Sequence, residues 1–204
     1  MGYRLGDLDV SRETYERLQT YSDLLKKWNP KINLVSKGTI DDLWERHIVD
    51  SAQIFELRNN SAKRWVDLGS GGGFPGLVIA ILAMEFAPSM KVTLVESDKR
   101  KSAFLRTVSR ETGCEANIVA ERIENVPPLN ADVLSARALA DLDALLGFAK
   151  LHLEAKGTCL FPKGHTWEKE VDKAHESWRF SCEITKSQTQ DQAVILKIEE
   201  IEHV

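Results

Sequence analysis

The sequence predicts an α/β protein: a largely parallel sheet covered by helices, preceded by a helical lead. Three observations carry this. Residues 67–76 read Asp67-Leu68-Gly69-Ser70-Gly71-Gly72-Gly73-Phe74-Pro75-Gly76, with the apolar Trp65 and Val66 leading in and the apolar stretch Leu77 to Phe86 leading out. That is a strand, a glycine turn and a helix in succession. From Arg64 onward strand-like and helix-like runs alternate, as a parallel sheet with crossover helices requires. Before Arg64 there is no strand signal, and apolar residues recur only at helical spacing.

The elements follow in order. Ser11 can cap a helix whose Tyr15, Leu18, Leu25 and Trp28 lie on one face, and Asn29-Pro30 ends it. Lys31 to Gly38 is a loop. Thr39 with Asp42 resembles a capping box with the shorter acid. Ile40, Leu43, Trp44, His47, Ile48, Ser51 and Phe55 then stripe a second helix, which Asn59-Asn60-Ser61 closes. The body predicts strands near 64–68, 91–96, 116–120, 132–136 and 157–162, and helices near 76–86, 98–112, 141–153 and 166–176. Two more strand-like runs, about 178–186 and 192–199, follow across a short polar break. The chain thus divides into a helical extension or lid, 1–62, and a sheet domain, 63–204. Five parallel strands closed by a hairpin do not make the two similar halves of a dinucleotide fold. They suit a Rossmann-like, seven-stranded sheet with an antiparallel last strand, the arrangement of S-adenosylmethionine-dependent methyltransferases.

The glycine run points to a bound cofactor at a strand's carboxyl end. Glycines permit positive φ and let a ligand lie against bare backbone, and the following helix offers unpaired N–H groups. Spacing leaves the cofactor open, because Gly71-x-Gly73-x-x-Gly76 also satisfies the dinucleotide pattern. Asp67 tips the choice. Negative charge there repels a pyrophosphate and suits the cationic end of S-adenosylmethionine; alternatively it only orders the turn. Glu96 ends the next strand-like run, 23 residues after Gly73, and is placed to accept hydrogen bonds from a ribose diol.

Other candidates stand at the remaining strand ends. Ile123-Glu124 follows the third strand, where a backbone N–H can meet adenine N1 and a carboxylate its amino group. Arg137 follows the fourth strand and Lys163 the fifth, both near the reactive end. Arg137 is equally explained as a structural ion-pair partner, and for Lys163 that explanation is slightly the better one.

The net charge of −4 argues against a uniformly basic nucleic-acid binder, but its distribution is uneven. Residues 1–64 carry +1 and the rest −5. Lys26, Lys27, Lys31 and Lys37 cluster with Trp28, Asn29 and Asn33 and without an acid between them. Such a group can grip RNA phosphates and stack a base, or simply be cations at a helix C-terminus. The three cysteines, Cys114, Cys159 and Cys182, suit reduced thiols and neither a disulfide frame nor a zinc site; no other metal ligand set stands out. The absence of a membrane-length apolar run or a signal core predicts a cytoplasmic protein with no membrane partner.

Taken together, Lys27-Trp28-Asn29-Pro30-Lys31-Ile32-Asn33-Leu34, Arg46-His47-Ile48-Val49-Asp50-Ser51, the 67–76 run, Val95-Glu96-Ser97, Ser135-Ala136-Arg137-Ala138 and Pro162-Lys163-Gly164 are specific. From about Tyr21 to Ile198 the chain resembles the RsmG (GidB) family of small-subunit ribosomal RNA methyltransferases. The resemblance implies methyl transfer from S-adenosylmethionine to N7 of a guanine in 16S rRNA, in a loop near the decoding centre. It implies 16S rRNA or a small-subunit particle as partner. It also implies cofactor contacts at Gly69, Phe74, Ile123, Glu124 and Arg137, joined by Glu96 and by Asp67, Gly71 and Gly73 of the loop. Where this chain has Ile123, the family often has alanine. Lys26, Lys27, Lys31, Asn33 and Lys163 are the candidate RNA contacts.

Guanine N7 carries a lone pair and no hydrogen, so its methylation demands alignment and no general base. Arg137 is the candidate for orienting the reactants, and a monomer suffices for this chemistry. Three other readings stay open on the residues alone: a methyltransferase for a small molecule or protein, a nicotinamide oxidoreductase, and a ribosome-assembly protein with a vestigial cofactor site.

Overall fold

The computed structural model describes residues 2–204. A short antiparallel hairpin comes first, β1 (Tyr3–Leu5) and β2 (Leu8–Val10). This corrects the expectation of an all-helical lead. Gly6 in the connecting turn has φ 63°, which a two-residue hairpin turn accommodates best with glycine. Leu5 and Val10 are buried, and Tyr3 stacks on Tyr15 of the next helix.

That helix, α1 (Arg12–Ile32), starts as expected: the Ser11 hydroxyl accepts from Thr14 N–H at 3.2 Å. It runs on through Pro30, past the expected end. Proline removes only one hydrogen bond in the last turn, and the buried Asn29 compensates. Its Oδ1 accepts from Leu34 N–H (2.7 Å) and Val35 N–H (2.9 Å), while Asn33 caps the helix with φ 50°. The second lead helix also differs from expectation. Lys37–Thr39 is a 3-10 turn, Trp44–Val49 is π-helical, and only α2 (Asp50–Glu56) is α-helical. Thr39 does not cap it; its hydroxyl donates to Ser36 O at 3.0 Å.

The sheet domain then alternates: β3 (Arg64–Leu68), α3 (Gly76–Phe86), β4 (Lys91–Val95), α4 (Lys99–Thr112), β5 (Ala116–Val119), β6 (Ala131–Ala136), α5 (Leu142–His152), β7 (Leu153–Lys163), α6 (Trp167–Ala174), β8 (Trp178–Lys186) and β9 (Val194–His203). The seven strands lie in the order β5-β4-β3-β6-β7-β9-β8. The first five are parallel; β9 is antiparallel to both β7 and β8. Leu68 pairs with Val95 and Ala136, and Val95 with Val119, so four carboxyl ends align at one edge. The chain order reverses between β3 and β6, which opens a crevice at that edge.

Each face of the sheet has its own core. Trp65, Val92, Leu94, Val133 and Leu160 pack with α3, α4 and the lead. Val66, Leu68, Val95, Leu134 and Phe161 pack with α5. Helix α3 is buried on every side from Gly76 to Ala83, because α1 and α2 cover the face turned away from the sheet. A helix apolar all round requires such double cover. Cys114 and Cys159 are buried free thiols and Cys182 is half-buried. Among the described residues no helix is long and apolar enough to cross a membrane.

Candidate active site

The loops leaving the aligned strand ends enclose a cavity of about 880 Å³. Gly69, Gly71 and Phe74 line it from the glycine loop, Glu96 from the end of β4, Ile123 and Glu124 from the turn after β5, and Arg137 from the end of β6. Sheet order therefore puts Glu96 and Ile123 on one side of β3 and Arg137 on the other.

Two predicted cofactor residues are absent from the cavity wall. Asp67 is fully buried beneath the loop. Ser135 Oγ donates to its Oδ1 at 2.7 Å, and Gly76 N–H reaches Oδ2 at 3.3 Å. The same Ser135 hydroxyl accepts from Trp65 Nε1–H at 2.9 Å. The Asp67 carboxylate thus braces the turn from beneath, and burial pushes its pKa up to about 6. Gly76 must be glycine for this brace: a Cβ there would lie 2.7 Å from Asp67 Oδ2 and 2.8 Å from Leu94. Gly73, with φ 95°, also faces inward, where a Cβ would meet the Tyr21 hydroxyl at 2.8 Å.

Tyr21 escaped the sequence reading, although it falls between Leu18 and Leu25 on the α1 stripe. Its hydroxyl donates to Gly72 O at 2.5 Å, and its ring stacks on Phe74 at 5.1 Å. Burial pushes its pKa well up. The lead thereby holds the glycine loop from below.

Glu96 is buried at the cavity wall. Its Oε2 accepts from Gly71 N–H at 2.8 Å and its Oε1 from Asp98 N–H at 2.7 Å. Each oxygen keeps a second acceptor position, so the carboxylate is fixed in place yet still able to accept from a diol. The Ile123 carbonyl is held by His152 Nε2 at 3.1 Å, from a fully buried ring on α5 whose pKa burial lowers.

Arg137 sits in a compact cluster. Its NH1 donates to Asp50 Oδ2 (3.2 Å) and to Arg46 O (3.4 Å); its NH2 donates to His47 Nδ1 (2.9 Å). The guanidinium carbon lies 5.0 Å from the Phe74 ring centroid, and His47 stacks on that ring at 4.9 Å. Three of these partners come from the π-helical turn and the first residue of α2, which no 3.6-residue period reveals. Asp50 also accepts from Thr189 (2.8 Å) and Gln53 (2.9 Å), and Gln53 Oε1 accepts from Gln188 N–H (2.9 Å). The lead is thereby tied to the β8–β9 loop as well as to β6. Burial first, then the charges of Arg137 and Arg46, pushes His47 down to about 3.

The predicted RNA contacts divide. Lys26, Lys27, Lys31 and Asn33 are exposed at the end of α1, next in sequence to Leu34, Val35 and Ser36 on the cavity rim. Trp28 corrects the expectation of a stacking platform: it is half-buried and packs on Phe104 at 5.6 Å. Asn29 is occupied internally, as described above. Lys163 lines the cavity but its Nζ donates to Glu170 Oε2 (2.7 Å) and Ala140 O (3.0 Å), so it is a structural partner between β7 and α6.

A seven-stranded sheet in this order, with a glycine loop after β3, the middle one of its five parallel strands, and a carboxylate at the end of the neighbouring β4, defines the class of S-adenosylmethionine-dependent methyltransferases. Its fold matches a SAM dependent methyltransferase from Aquifex aeolicus with a TM-score of 0.60 at 11% identity, covering 87% of this chain and 97% of that one. The family described as rRNA small subunit methyltransferase G (GidB) matches residues 14–197, and the chain belongs to it. A ribosomal RNA small subunit methyltransferase G from Ruegeria sp. (strain TM1040) is 58% identical over 198 residues, 97% of this chain and 96% of that protein. One from Cereibacter sphaeroides (strain ATCC 17029 / ATH 2.4.9) is 48% identical over 200 residues, 98% of this chain and 97% of that protein.

Proposed function

We propose that this chain methylates N7 of a guanine in 16S rRNA, using S-adenosylmethionine. The observation that carries the reading is one continuous cavity that joins the glycine loop and Glu96 on one side of β3 to Arg137 on the other. The residues present fit the cofactor. Bare backbone at Gly69 and Gly71 receives its length, Glu96 accepts from the ribose diol, and the Ile123-Glu124 turn meets the adenine. Arg137 meets the amino-acid carboxylate. A guanidinium suits that anion better than it suits a purine gaining positive charge.

S-adenosylmethionine supplies an electrophilic methyl on a sulfonium. Held by Glu96, Arg137 and the glycine loop, it would pass that methyl to the N7 lone pair and leave as S-adenosylhomocysteine, with the positive charge taken up by the purine. No proton leaves N7, so no side chain need act as a base. The protein's work is alignment. Phe74, clamped between Tyr21 and His47, keeps the loop rigid at the reacting end.

Residues 1–62 serve as an extension that carries the RNA-facing surface. Lys26, Lys27, Lys31 and Asn33 are exposed at the end of α1, whose chain continues into the cavity-lining Leu34, and cations there can track phosphates. Alignment chemistry of this kind asks for no residue from a second copy, which supports action as a monomer, and an rRNA substrate supports a cytoplasmic location. The test is chemical cleavage at 7-methylguanosine in 16S rRNA from cells with and without the gene. Loss of one cleavage site on deletion, restored by the purified protein acting on small subunits, is expected. An unchanged pattern sinks the reading.

A further inference from the structure

We propose that His47 is a positioning residue for Arg137, held as the neutral Nε2–H tautomer by Thr39. The proposal rests on the reading of Arg137 as the group that meets the cofactor carboxylate. Donor arithmetic fixes the tautomer. A guanidinium only donates, so the contact at 2.9 Å makes His47 Nδ1 the acceptor and places the proton on Nε2. That Nε2–H faces Thr39 Oγ1 at 3.0 Å, and the Thr39 hydroxyl in turn donates to Ser36 O at 3.0 Å. Every hydrogen bond points one way, from Arg137 through His47 and Thr39 to the backbone of the cavity rim.

Neutrality matters to the role. Asp50 already supplies one carboxylate to Arg137 at 3.2 Å. A second anion beside it would cancel the charge that a ligand carboxylate needs. An imidazole fixes the plane of the guanidinium fork and leaves its charge in place. Burial and the cations Arg137 and Arg46 disfavour protonation of His47, in keeping with this arrangement. The Phe74 face, 4.9 Å from the ring, restricts its rotation.

The experiment is calorimetric binding of two ligands to the full chain and its variants. S-adenosylhomocysteine has the amino-acid carboxylate; 5′-methylthioadenosine lacks it. His47→Ala and His47→Gln are expected to weaken S-adenosylhomocysteine about tenfold and leave methylthioadenosine within about twofold. His47→Asn, whose amide oxygen falls near the Nδ1 position, is expected to restore most of the loss; a glutamine amide falls near Nε2 and does not. Thr39→Val is expected to show a smaller selective loss. Equal weakening of both ligands in His47→Ala would mean a merely structural residue and overturn the proposal. So would a glutamine variant that rescues as well as asparagine. Arg137→Ala separates the two layers. Selective loss in Arg137→Ala with none in His47→Ala overturns the positioning role alone. Loss in neither overturns the assignment of Arg137, and the proposal with it.

Discussion

Replacing Asp67 by asparagine should flatten part of the pH dependence of stability. Asp67 is fully buried, and its pKa in the fold is about 6 against an ordinary value of 3.8. The unfolded chain gives up this proton earlier, so between those two values the native state binds more protons than the unfolded one. Stability from this group is then complete below the unfolded value and is lost as pH rises through 6. The full span is worth about 3 kcal/mol at 1.36 kcal/mol per unit, and about 1.4 kcal/mol of it falls between pH 5 and pH 7.5. Urea unfolding of wild type and Asp67→Asn at these two pH values isolates the contribution, because all other groups are shared. The wild type should lose about 1.4 kcal/mol more than the variant on going to pH 7.5. The asparagine must place its NH2 toward Ser135 to keep its carbonyl on Gly76 N–H, so the variant should be less stable overall at pH 5. Equal pH slopes in the two proteins would refute the buried, loop-bracing carboxylate. A wild type that gains on the variant as pH rises would refute it more strongly, since that is the sign of an ion-paired Asp67.

Other perturbations test other parts of the site. Glu96→Gln sets an NH2 against the Gly71 or Asp98 N–H and should cost S-adenosylhomocysteine roughly tenfold in affinity, measured by calorimetry. Gly76→Ala forces a methyl against Asp67 and Leu94 and should destabilise the fold by about 1–3 kcal/mol in urea unfolding. Reversing Lys26, Lys27 and Lys31 to glutamate should lower affinity for small-subunit rRNA and flatten its salt dependence while cofactor affinity holds; an unchanged salt slope would move the RNA surface elsewhere. Lys163→Met removes the cation from Glu170, which keeps only Leu142 N–H and the Thr166 hydroxyl, and leaves Ala140 O without its donor; it should lower stability by about 1–3 kcal/mol, with rRNA affinity unaltered if Lys163 is structural.

Strands and helices beyond Arg64 were legible because apolar runs there end on glycine, proline or charge, and local chemistry decides such boundaries. The start of β7 was not: Glu154-Ala155-Lys156 has no apolar alternation and joins the sheet across an irregularity in its pairing with β6. The hairpin before Ser11 was readable in principle, since Gly6-Asp7 separates two alternating triplets, but three residues are too few to set a period. The π-helical turn was out of reach. Within six residues, periods of 3.6 and about 4.4 place the same apolar side chains inward. At the site, strand order alone was enough to gather Glu96, Ile123 and Arg137. At Asp67 and Lys163 the sequence left a structural and a functional reading open, because it does not show the partner: Ser135 lies 68 residues from Asp67, and Glu170 lies seven residues from Lys163 on a helix that turns back over it.

The burial of α3 on every side bears on how such an enzyme can change. Gly76 to Ala83 is roofed by α1 and α2, so the lead and the sheet share one hydrophobic interior. A lead grafted from a relative would have to match that roof residue for residue, or leave Leu77, Ile81 and their neighbours in water. The lead is therefore not a module that can be exchanged on its own. Change comes more easily on its outer face, where exposed side chains can be replaced without disturbing the shared interior.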